Sequence, residues 1–130
     1  MKKATREVRK SFSFQVNEAG KLYTPVNWEL PKKTKFVKGL QLTSDFPNKL
    51  YYRGTQKIEV GGDELFPEGF DSKILVSSIS VAPRDRFFDL GEVLPGDLSV
   101  KIRYQDINHS RAEFDGGYQV TLVLLIEEEV

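Results

Sequence analysis

His109 is the only histidine of the chain, and there is no cysteine. Nucleophilic catalysis needs a base within reach of a hydroxyl or thiol, and a third group to orient it. No Ser/His/Asp spacing surrounds His109, so it reads as a loop residue without helpers. The run Asp106-Ile107-Asn108-His109-Ser110 sets oxygen ligands at the first, third and fifth positions of a calcium loop. It then departs from that pattern. Arg111 stands where the loop needs Gly, and Gly117 where it needs a bidentate Glu. A looser cation site would draw on Asp106, Asn108 and Asp115. Asn108-His109-Ser110 is also a glycosylation sequon, which has meaning only on a secreted chain.

Other clusters are weaker still. Asp63, Glu64, Glu68 and Asp71 crowd one stretch. Glycoside hydrolysis needs two carboxylates facing each other across a cleft, and four on one turn read more simply as a solvated loop. Tyr23, Trp28, Tyr51 and Tyr52 are rings that stack on sugars in carbohydrate-binding sandwiches. Tyr51 and Tyr52 would face opposite sides of a strand, which leaves Tyr23, Trp28 and Tyr51 as the sugar-stacking set. Gly61-Gly62 lacks the lysine and helix of a phosphate loop. The expectation is a non-enzyme with no catalytic, metal or cofactor residues and no cofactor.

The elements that must carry these residues are strands. Tyr118, Val120, Leu122, Leu124 and Ile126 fall on one face of an extended segment by the period-two rule. Gly116-Gly117 precede it and Glu127-Glu128-Glu129 follow. Residues 98–105 alternate most cleanly, and 11–16 places Phe12, Phe14 and Val16 inward. Further strands are expected at 21–30, with Pro25 marking an edge or bulge, and at 36–43, 50–53, 56–60 and 73–81. Residues 45–48, 61–64 and 94–97 carry turn residues. Pro83-Arg84-Asp85 breaks the strand at 73–81, and 65–70 reads as irregular. Helical spacing is sustained nowhere. The fold class is all-β: an antiparallel two-sheet β-sandwich, jelly-roll-like, with eight or nine short strands. Val100, Ile102, Leu122 and Leu124 are the expected core.

At 130 residues the chain suits one domain. Residues 1–10 hold five basic residues against one Glu and read as a flexible N-terminal arm, with the sandwich at 11–130. No apolar run follows the arm, unlike a signal peptide. Nothing reaches the length of a membrane span. Net charge is zero but lopsided. Residues 1–57 hold 13 Lys/Arg and 4 Asp/Glu, while residues 58–130 hold 6 and 15. Such a chain either has opposed charged faces, or interleaves early and late strands so that the charges mix.

At the level of architecture, a small sandwich with a basic arm and no catalytic set is similar to virion proteins with a single jelly roll, such as capsid, penton or head-decoration subunits. That resemblance implies a structural, self-assembling protein of a virion or the cytoplasm. Its partners would be further copies or other structural subunits. Lys2, Lys3, Arg6, Arg9 and Lys10 would make the partner contacts, nucleic acid included, with no membrane contact. The alternative is a non-catalytic carbohydrate-binding module.

Overall fold

A computed structural model describes residues 4–25, 28–71 and 87–130. The expected strand at 73–81, its break at 83–85, and Lys2, Lys3 and Val26 lie outside them. The described residues form two antiparallel sheets. The first has the order β1 (Thr5–Val16), β9 (Tyr118–Glu129), β4 (Thr34–Ser44) and β7 (Phe88–Val93). The second runs β2 (Leu22–Tyr23), β8 (Ser99–Asp106), β5 (Gly54–Val60) and β6 (Asp63–Asp71), with β3 (Trp28–Glu29) also on β8. The all-β sandwich expected from the alternation is the fold.

The core lies where the two inner faces meet. Tyr118, Val120, Leu122, Leu124 and Ile126 of β9 are all buried, as are Val100, Ile102 and Tyr104 of β8. β9 is central because both its edges are paired, by β1 over its whole length and by β4 from Thr34↔Glu128 to Ser44↔Val120. Two bulges in β4 precede Gly39. A Cβ there would stand 3.1 Å from the Phe87 Cβ and 3.2 Å from the Phe88 carbonyl, so glycine permits that close approach. The β5–β6 hairpin closes on Gly61-Gly62, both at positive φ, as a two-residue turn of this hand requires.

Three local expectations are corrected. Residues 5–10 are not an arm: β1 starts at Thr5, and Thr5–Lys10 pair residue for residue with Glu129–Leu124. Backbone pairing with a long neighbour holds them where side-chain apolarity alone would not. Early and late strands are therefore neighbours, and the charges mix. Arg6 meets Glu128 at 2.8 Å, and the Thr5 hydroxyl donates to Glu127 at 2.6 Å. Residues 47–53 are a helix, α1 (Pro47–Arg53), where a turn and a strand were expected. Pro47 sits in its first turn, where a missing N–H costs nothing, and Lys49, Leu50 and Arg53 form its buried face. Residues 65–70 belong to β6 and are not irregular; register shifts against β5 absorb their uneven pattern.

Candidate functional site

One end of the sandwich gathers the β1–β2 turn, α1 and the β8–β9 loop. Their meeting point is Asp106. Period two along β8 carries Val100, Ile102 and Tyr104 inward and delivers Asp106 to the same face, fully buried. Its carboxylate accepts from Arg53 twice, Nε to Oδ1 at 3.0 Å and Nη2 to Oδ2 at 2.7 Å. The Tyr118 hydroxyl donates to Oδ1 at 2.6 Å, and the Gly20 N–H to Oδ2 at 2.8 Å. Arg53, itself 1% exposed, gives its other donors to the Ala112 carbonyl at 2.9 Å and Asn108 Oδ1 at 2.8 Å. The Phe114 ring covers the guanidinium, 5.2 Å from its centroid. A single ion pair thus fastens three connections that are far apart in sequence.

The electrostatics follow from this geometry. Burial alone would push the Asp106 carboxyl up, but the hydrogen bonds from Arg53, Tyr118 and Gly20 together hold it below its ordinary value. Hydrogen bonding to Asp106 outweighs desolvation at Arg53 and raises its pKa. Tyr118 is pushed up, by burial first and then by the neighbouring Tyr104 and Asp106. A carboxylate held this low is a poor base, and a phenol held this high is a poor nucleophile. The arrangement is a clamp.

The oxygens considered for calcium are committed to side-chain cations. Asp106 and Asn108 hold Arg53, while Asp115 holds Lys49 at 2.6 Å. The Lys49 ammonium also donates to the Gly116 carbonyl at 3.0 Å and lies 4.6 Å from the Phe46 ring. Lys49 therefore lowers the Asp115 pKa from its ordinary value, by its hydrogen bond first and then by its charge. No cluster of three His, Cys, Asp or Glu able to hold a metal occurs among the described residues. An open cleft of about 500 Å³ lies beside α1, between Phe46, Lys49, Arg111 and Asp115.

Other candidates are dispersed. His109 Nδ1 accepts from the Arg111 N–H at 3.0 Å, and its ring lies 5.0 Å from Tyr52. Asp63, Glu64, Glu68 and Asp71 are all on β6, where Glu64 is exposed. Trp28 stacks on Phe12 at 5.0 Å, and Tyr23 packs on Phe14 at 6.2 Å. The Tyr23 hydroxyl accepts the N–H groups of Asn17 and Glu18. Tyr51 is elsewhere, exposed on α1 with its ring against Tyr52. Of the basic set, Arg6 pairs with Glu128, Arg9 lies 5.6 Å from the Phe87 ring, and Lys10 lies 5.9 Å from Phe12. Sequence reasoning missed Arg53, whose signal was the inward parity of Asp106: a buried acid demands a cation. Compared with protein-family models, with curated proteins and with solved structures, the chain matches none of them.

Proposed function

We propose that this chain is a structural, self-assembling β-sandwich subunit of jelly-roll type, of the kind that builds a phage or virus particle. The observation that carries the reading is the nested strand order. If β2 and β3 count as one interrupted strand on β8, the first strand pairs with the last, the second with the last but one, β4 with β7, and β5 with β6. That wrapping is what a double-sheet jelly roll requires. The clamp supports the same reading. The residues best placed for chemistry, Asp106, Tyr118 and Arg53, are saturated by one another and rigidify the loop end. In this reading His109 has no catalytic role, and α1 with the 107–117 loop offers a pre-ordered surface to neighbouring subunits. No helix among the described residues is long and apolar enough to cross a membrane.

The carbohydrate-binding alternative is less favoured, because Tyr23 and Trp28 direct their rings at Phe14 and Phe12. Light scattering across a concentration series, with electron microscopy of the concentrated sample, tests the proposal. Discrete oligomers or regular assemblies are expected. A monomer at every concentration that is retained on a polysaccharide column would replace this reading with the alternative.

A further inference from the structure

Among the described residues the two sheets end in four strand edges, and three of them are blunted. β7 is six residues long, and its pairing with β4 is interrupted by a register shift. β6 carries Pro67 and shifts register twice against β5. β2 and β3 have two residues each, with Pro25 between them. These are the devices by which sheet edges avoid pairing with other chains. β1 is neither short, bulged nor interrupted by Pro, and its charged side chains, Arg6, Glu7, Arg9 and Lys10, all fall in its first half. It is twelve residues long, contains no Pro or Gly, and pairs with β9 one to one from Thr5↔Glu129 to Val16↔Tyr118. Among the described residues nothing pairs with its outer edge.

We propose that β1 is a self-association seam: two copies lay β1 against β1, antiparallel, across a two-fold axis at Ser11, joining their four-stranded sheets into one. This inference rests on the self-assembly reading above and names the surface that carries it. The occupant is a second copy because the side-chain order of β1 is compatible with its own reverse. About an axis at Ser11, the outer face sets Arg9 opposite Ser13 and Glu7 opposite Gln15. The inner face sets Lys10 opposite Phe12 and Val8 opposite Phe14. No like charges meet, and the ladder runs from Arg6 to Val16. Lys10 already lies over its own Phe12, 5.9 Å from the ring centroid, and the same cation–ring contact is available across the axis. Registers centred nearer the N-terminus are selected against, since like charges directly opposite are destabilising. An axis at Val8 sets Arg6 against Lys10, one at Arg9 sets Arg9 on itself, and one at Lys10 sets Lys10 on itself. Such an interface is isologous and closes as a dimer, with backbone hydrogen bonds as its main contacts.

The chain has no cysteine, so Ser11→Cys carries a single thiol. Directly opposite residues of an antiparallel pair have Cβ atoms about 4.5–5.5 Å apart, close enough for a disulfide after slight adjustment. Under mild oxidation Ser11→Cys is expected to form covalent dimers at concentrations where Thr43→Cys, on the interior strand β4, does not. A second pair of variants reads the register. Ser13→Glu and Ser13→Arg both remove the 2.8 Å hydroxyl contact with Thr121, so a difference between them reports on the Arg9 opposite. The Glu variant should associate more tightly than the Arg variant by about tenfold or more in Kd. If the native chain forms oligomers while Ser11→Cys does not cross-link and the two Ser13 variants associate equally, the seam is wrong and self-assembly stands. A native chain that stays monomeric at every concentration overturns both.

Discussion

Two arginine–carboxylate pairs tie distant parts of this chain together, at opposite ends of the sandwich. Arg53 and Asp106 meet at 2.7 Å with side chains 1% and 0% exposed. Arg6 and Glu128 meet at 2.8 Å with side chains 62% and 8% exposed. Nearly equal distances carry different energetic meaning. At the loop end both charges have left water, and the remaining donors and acceptors are matched by Tyr118, Gly20, Asn108 and Ala112. Such a pair is weak testimony to net stability, yet breaking it strands a buried charge. At the strand end the guanidinium stays in water, so little is gained and little is lost. Position at that end is set by the backbone ladder of β1 on β9.

The comparison is tested most severely by deletion. Removing residues 1–10 takes half of β1 away and uncovers the edge of β9 along Leu124 and Ile126. The melting midpoint should fall further than for any single substitution below. An unchanged midpoint would mean that the ladder contributes nothing at this end. Next comes Arg53→Ala, which strands Asp106 in the core and is expected to cost about 3–5 kcal/mol in urea unfolding. Combining Arg53→Met with Asp106→Leu should recover part of that loss, because the uncompensated charge goes with its partner. A double variant as unstable as Arg53→Ala would show that shape, not charge, dominates the clamp.

Acid separates the two ends further. Asp106 has a folded pKa below its ordinary 3.8. Its contribution is therefore fully present above the unfolded value and is lost as pH falls through the folded one. Asp106→Asn strands the Arg53 cation instead and should lose about 3–5 kcal/mol at pH 7, the range for a broken buried pair. Below pH 4 its stability should fall less steeply than that of the native chain. Parallel acid profiles for the two proteins would remove Asp106 from the account.

These contrasts were unequally legible in the sequence. The β9 face was readable because five apolar residues at period two have one consistent solution. The same rule carried Asp106 inward, but the alternation of β8 reads as ending at Gln105, so the acid fell to the loop that follows. Arg53 was hidden by its context: Leu50-Tyr51-Tyr52-Arg53 has a strand composition, and only Pro47 at the start of α1 hints at a helix. Residues 5–10 were hidden for the opposite reason. Apart from Val8 they offer no apolar alternation, and what orders them is a neighbour more than a hundred positions away in sequence. Local pattern does not encode long-range pairing, so residues 5–10 read as an arm and Glu127-Glu128-Glu129 only as the end of the last strand.

The smallest expected effect is at Arg6. Its guanidinium is mostly in water, and its partner Glu128 also lies in the ladder between β1 and β4. Arg6→Ala removes the ion pair and the Nε–H hydrogen bond at 2.9 Å but leaves the backbone pairing of residue 6 intact. A loss of about 0.2–1 kcal/mol is expected, the range for exposed pairs. It should sit near the top of that range in low salt, because Glu128 is nearly buried. It should also shrink as salt rises, since an ion pair with one partner in water is weakened by mobile ions. Urea unfolding of Arg6→Ala and the native chain, at low and at high salt, measures both quantities. Arg53→Ala under the same two conditions should show a loss nearly independent of salt, because neither partner of that pair is reached by mobile ions. A salt-independent loss above about 2 kcal/mol for Arg6→Ala would place the two arginines in one energetic class, and the distinction between an end held by a buried clamp and an end held by a backbone ladder would fail.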